Sequence, residues 1–181
     1  MNILLLGSGG RESALAYKIS RSPLCTRLFI APGNGGTEAY GTNIILKPTD
    51  FEAVAAVVER ENIDLLVVGN EDPLVAGIRD FFATRKPDLL IVGPGADGAA
   101  LEGSKDFAKE FMTEMGIPTA AYRSFTAETL AEGEQFLATL NPPYVLKAQE
   151  RDSSPFPPSK RPRRRSARCF RVCLAARAPQ W

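Results

Sequence analysis

The sequence predicts an α/β fold, an open parallel sheet with helices on both faces. Short continuous apolar runs recur at residues 3–6, 28–30, 44–46, 65–68 and 89–92. Each is too short for a helix and reads as a strand buried on both sides. The clearest runs break at once into loop formers: Gly7-Ser-Gly-Gly10, Pro32-Gly-Asn-Gly-Gly36, Gly69-Asn-Glu-Asp-Pro73 and Gly93-Pro-Gly95. Helical spacing fills most of the intervals, and parallel strands require such crossovers. The sheet is expected to occupy roughly residues 1–95.

The elements follow in order. After the first strand a helix is expected to start near Arg11, with Ala14, Leu15 and Ile19 on one face and Ser22-Pro23 as its stop. Thr49 and Glu52 form a capping box for a helix carrying Phe51, Val54, Val57 and Val58 on one side. A helix from Leu74 to about Thr84 follows the fourth strand. Asp72 reads as its cap, with Pro73 at the first helical position.

Beyond residue 100 the pattern changes. Phe107, Phe111 and Met115 recur every four residues on a helix over 106–115, closed by Gly116 and blocked by Pro118. Tyr122–Phe125 reads as a short strand, 128–138 as a helix and Tyr144–Ala148 as another strand, the opening of a second domain. From Gln149 periodicity stops. Lys160-Arg-Pro-Arg-Arg-Arg165 sits in a Pro- and Arg-rich stretch whose charge opposes collapse, and disorder is expected there. The expected organisation is an amino-terminal α/β substrate-binding domain over 1–100, a linker and truncated start of a second domain over 101–148, and a tail over 149–181.

Charge divides the chain at the same place. Residues 1–150 hold 13 Lys/Arg against 20 Asp/Glu, whereas residues 151–181 hold 9 against 1. The overall charge of +1 describes neither part. The tail has the positive charge for non-specific nucleic-acid contact, but no interleaved aromatics and no folded reading element. Its abrupt onset favours an out-of-frame origin. Three cysteines without metal or disulfide spacing fit a reducing compartment, and the start lacks a secretory pattern, so a cytoplasmic protein is expected. No apolar run is long enough to span a bilayer. Histidine is absent, which excludes a histidine base.

The first loop is the main candidate site. Glycines expose main-chain amides, and the following helix presents its positive end to an anion. Gly7-x-Gly9 lacks the third glycine of the dinucleotide fingerprint, because residue 12 is glutamate, and the second strand ends without an acidic residue. No Gly-Lys-Ser/Thr follows, so a P-loop is excluded. Arg11 can grip a phosphate in a planar fork. Glu12 can orient that arginine or accept from a hydroxyl or amine; alternatively it only favours the helix terminus. Glu71 is expected to face the ligand, and Asn34 either reaches the same crevice or holds its own turn. Lys147, enclosed by Val145-Leu146 and Ala148, demands a charged partner or solvent. Lys105, at a helix start, calls for a nearby anion.

These pieces together resemble phosphoribosylamine–glycine ligases, also called glycinamide ribonucleotide synthetases. The resemblance runs over residues 1–148. It rests on Ile3-Leu-Leu-Leu-Gly-Ser-Gly-Gly-Arg-Glu12, Ala31-Pro-Gly-Asn-Gly-Gly36 and Leu66-Val-Val-Gly-Asn-Glu-Asp-Pro-Leu-Val75. It continues in Leu101-Glu-Gly-Ser-Lys105, Phe107-Ala-Lys-Glu-Phe-Met112, Gly116-Ile-Pro-Thr119 and Pro142-Pro-Tyr-Val-Leu-Lys147.

The resemblance implies an ATP-grasp enzyme of purine biosynthesis whose amino-terminal domain is an open α/β sheet. That family joins glycine to 5-phosphoribosylamine with ATP, through a glycyl phosphate, using Mg or Mn. By position, Gly9, Gly10, Arg11 and Glu12 would lie on the ribosylamine-phosphate side, with Asn34 and Glu71 completing the pocket. Lys105 and Lys147 would face ATP.

Departures are also visible: Ser13 stands where the family has histidine, and Asn70 where it has proline. After Ala148 the family's glycine-rich ATP loop gives way to Gln149-Glu-Arg-Asp-Ser-Ser-Pro. The 181-residue chain is therefore expected to be a monomer that neither binds ATP productively nor ligates. The rival reading is a stand-alone sugar-phosphate-binding module with a basic nucleic-acid-binding tail.

Overall fold

The computed structural model describes residues 1–120 and 122–140. The strand expected over Tyr144–Ala148, Lys147 and the basic tail lie outside the described residues. The chain divides into two compact units, Met1–Ala100 and Leu101–Trp181.

Five parallel strands build the first unit: β1 (Asn2–Gly7), β2 (Arg27–Pro32), β3 (Thr42–Asn43), β4 (Leu65–Val68) and β5 (Leu90–Val92). Their order across the sheet is β3-β2-β1-β4-β5, with β1 in the middle. Ile3 pairs in register with Leu28 on one side and Leu65 on the other. In the central strand Leu4, Leu5 and Leu6 are wholly buried. Each such side chain contributes about 1.5–3 kcal/mol on removal from water.

Alternation along β1 sends side chains to two separate cores. Leu4 and Leu6 pack with Phe29, Leu66 and the apolar faces of α2 (Phe51–Arg60), α3 (Glu71–Val75) and α4 (Ile78–Arg85). Ile3 and Leu5 pack with Leu28, Ile30 and Val67 against α1 (Gly10–Ser20). Helices thus cover both faces, as a parallel sheet demands.

Several local expectations are corrected. The third strand is Thr42–Asn43, not 44–46, because Ile44 and Leu46 pack into the core from a loop while Ile45 is 97% exposed. The cap of α2 is Asp50, whose carboxylate accepts from the Ala53 N–H at 3.1 Å; Thr49 and Glu52 form no capping box there. The helix expected from Leu74 to Thr84 is two helices, divided where Gly77 takes a left-handed conformation (φ 92°). Its first piece begins at Glu71, with Asn70 as the cap residue, so Asp72 and Pro73 lie inside the first turn. On α1 the inward residues are Glu12 and Ala16, with Ile19 half-buried, while Ala14 and Leu15 point outward.

Helix α5 (Ala96–Gly103) was not anticipated; it buries Ala99 and Ala100. In the second unit α6 spans Lys105–Glu114, capped by the Ser104 hydroxyl, which accepts from the Phe107 N–H at 3.3 Å. None of its residues is buried: Phe107 is half-buried, and Phe111 and Met115 are exposed. Residues 122–126 form no strand, and α7 covers Leu130–Ala138 after a short 3-10 turn. No described helix is long and apolar enough to cross a membrane.

Candidate functional site

The chain leaves β1 toward β2 on one side and later crosses to β4 on the other. That reversal makes the carboxyl ends of β1 and β4 a topological switch point, where open sheets hold ligands. A cavity of about 410 Å³ opens there. The β1 loop supplies residues 7–12 and the β4 loop residues 70–72, with Pro32 and Pro48 closing the sides.

Of the expected site residues, Gly9, Gly10, Arg11, Glu12 and Glu71 all line this cavity. Arg11 is exposed at its mouth, and its guanidinium Nη2 lies 3.4 Å from Glu71 Oε2. A pair so open to water is worth at most about 1 kcal/mol, so an anion can displace the carboxylate. The first amides of α1 lack partners within the helix and meet the cavity at Gly10 and Arg11. Ser8, Pro48 and Asp72 line it as well. Pro48 carried no signal in the sequence, since it reaches the crevice only through tertiary folding.

Glu12 is placed differently from its neighbours. It is 3% exposed, and Oε2 accepts the Gly9 N–H at 2.6 Å. Glu12 Oε1 and Asn70 Oδ1 are, among the described residues, the buried side-chain atoms without a hydrogen-bond partner. Both residues belong to the cavity wall.

Asn34 serves its own loop. Its amide nitrogen donates to the Ser8 carbonyl at 2.8 Å and to the Ser13 hydroxyl at 3.0 Å. Its amide oxygen accepts from the Gly36 and Thr37 N–H groups. The second loop is thereby tied to the first through Ser13, a link that sequence reading missed because the partners are 21 residues apart. Lys105 is exposed at the first position of α6, in the second unit. Among the described residues no cluster of three His, Cys, Asp or Glu side chains is arranged to hold a metal.

Sheet order, helices on both faces and a crevice at the strand reversal define the class: an open, doubly wound α/β domain. The family model described as "Phosphoribosylglycinamide synthetase, N domain" matches residues 1–102. The chain belongs to this family. It is 48% identical over 148 residues to the phosphoribosylamine–glycine ligase of Mesorhizobium japonicum, covering 82% of this chain and 34% of the relative. Against the corresponding ligase of Pseudomonas aeruginosa the identity is 46% over 153 residues, with the same coverage. Among solved structures, the Thermotoga maritima phosphoribosylamine–glycine ligase superposes with a TM-score of 0.58 at 31% identity, over 82% of this chain and 33% of that one. The fold is shared with the N5-carboxyaminoimidazole synthase of Aspergillus clavatus (TM-score 0.59, 20% identity, 81% of this chain and 38% of that one). The chain spans about a third of the length of the curated relatives it matches.

Proposed function

We propose that the switch-point crevice binds the sugar phosphate of 5-phosphoribosylamine, and that the chain supplies this part of a purine-biosynthetic phosphoribosylamine–glycine ligase. One observation carries the reading. The β1 loop, the start of α1 and the β4 loop converge on a single cavity, and among the described residues that line it the one cation is Arg11. A guanidinium beside free helix amides suits a phosphate, which it can grip through two parallel hydrogen bonds.

Charge balance narrows the ligand further. Glu71 and Asp72 line the same cavity, so a bare anion meets two carboxylates beside the one guanidinium. A ligand that also brings hydroxyl or amine donors offsets that excess. Ribosylamine phosphate carries both kinds of group. Arg11 then holds the phosphate after leaving Glu71, and Glu71 is released to accept from the sugar.

The nucleotide half of the reaction has no comparable support here. When bound, ATP supplies the phosphoryl group that activates a carboxylate in the ligases of this family. Lys105 alone is no nucleotide site, and Lys147 lies outside the described residues. For these residues the reading commits to substrate binding, and the ligation belongs to the whole protein of the family.

Calorimetry with ribose 5-phosphate tests the reading on the 181-residue chain. Arg11→Ala should weaken binding by about tenfold or more, the loss expected for a hydrogen-bonded charge on phosphate. Inorganic phosphate should bind more weakly than ribose 5-phosphate. Equal affinity of Arg11→Ala and the unaltered chain would defeat the assignment.

A further inference from the structure

We infer that Glu12 is a positioning residue: its carboxylate is the strut that spaces the β1 loop from the β4 loop, and it does not touch the ligand. The inference rests on the crevice being a sugar-phosphate site and names what keeps that site in shape.

Its burial is the first observation. Glutamate is among the residues least often enclosed, yet Glu12 is 3% exposed on the opening turn of α1. Next comes its hydrogen bond: Oε2 takes the Gly9 N–H at 2.6 Å, fixing the loop that precedes the helix.

The glycines around it supply the third. A Cβ on Gly7 would lie 2.5 Å from Glu12 Cγ, one on Gly9 2.9 Å from Oε2, and one on Gly69 2.5 Å from Oε1. Gly7 and Gly69 carry further constraints, a positive φ (132°) at the first and the Leu6 carbonyl oxygen 2.8 Å from a Cβ at the second. Gly9 is the sharpest case, because its backbone is extended (φ −87°, ψ −173°) and suits any residue, and Oε2 is the only atom its Cβ would meet within 4 Å. These glycines leave room for Glu12. Oε1 is shut against Gly69 with no accessible surface, so a ligand cannot reach it.

Four single variants of the 181-residue chain and one double variant, read by ribose 5-phosphate calorimetry and by hydrogen exchange at the Gly9 amide, test this. Glu12→Gln keeps the shape and an oxygen for Gly9, and should bind within about threefold of the unaltered chain with the Gly9 amide still protected. Glu12→Ala should lose about tenfold in affinity and expose that amide. Gly9→Ala should weaken binding alone but add nothing in a Glu12→Ala background, since the atom it strikes is gone. Gly35→Ala, whose Cβ meets nothing within 4 Å, should bind normally.

Glu12→Gln failing as badly as Glu12→Ala while Gly9 stays protected would overturn the inference in favour of direct charge contact. Unchanged binding and protection in Glu12→Ala would also overturn it, as would a Gly35→Ala loss equal to that of Gly9→Ala. If the unaltered chain binds no ribose 5-phosphate, the crevice reading fails separately. Exchange then decides the strut alone: protection kept in Glu12→Gln and lost in Glu12→Ala upholds it, and any other pattern refutes it.

Discussion

Glu61 closes α2 between two guanidiniums. Arg60 Nε lies 2.9 Å from its Oε1 and Arg27 Nη2 3.1 Å from its Oε2, joining the end of the helix to the start of β2. The hydrogen bond from Arg60, then the charge of Arg27, hold the Glu61 carboxyl below the usual range, against an opposing push from partial burial. A carboxyl whose pKa is lowered by folding stabilises the fold above its unfolded value, and that contribution disappears as pH falls through the folded value. Glu61→Gln should therefore melt below the unaltered chain at neutral pH. The gap should begin to narrow as pH falls below the ordinary glutamate value of about 4.3 and close only below the lower folded value, where the glutamate itself is neutral. Thermal melts of both proteins across that range check it; a gap independent of pH would mean the pairs contribute nothing through charge. At this scale the sequence was only partly legible. Arg11 and Glu71 stand at the crevice as their types suggested, whereas nothing in residue 12 announced a buried carboxylate, because burial of a charge depends on neighbours brought in from β4.

Elements were legible where one signal dominated. Leu65–Val68 matches its apolar run, and α2 buries Val54, Val57 and Val58 as its spacing required. Signals that compete locally misled. Thr49 and Asp50 are both good caps, and only the path of the chain leaving Lys47 and Pro48 decides that Asp50 faces the free amides. Asp50→Ala should cost about 1 kcal/mol in denaturant unfolding, while Thr49→Ala should stay within about 0.5 kcal/mol. The third strand was misplaced for a related reason. Apolar Ile44 and Leu46 signal burial, but the hydrogen-bonded pair at the sheet edge is polar Thr42–Asn43, held by register with Phe29 and Ile30. Likewise the phase of α1 is set by Glu12 entering its glycine cage, which turns Ala16 inward and leaves Leu15 39% exposed.

For the whole molecule, the division at Ala100 and the family match over residues 1–102 point to the same separable piece. Every cavity-lining residue lies between positions 7 and 72, inside the first unit. A fragment ending at Gly103, where α5 finishes, should melt cooperatively and bind ribose 5-phosphate as tightly as the 181-residue chain. A fragment that fails to fold, or binds about tenfold more weakly, would show that residues beyond α5 complete the site.

Sequence alone determined the class of fold, the positions of the central strands and the loops from which the crevice is made. Continuous apolar runs and glycine-rich breaks are local properties, and parallel pairing leaves them few arrangements. Tertiary structure decided which glycines serve a ligand and which make room for Glu12, and it brought Pro48 and Ser13 into play. Those outcomes depend on distances between β1 and β4 and between the first two loops, and such distances are set by packing across the sheet.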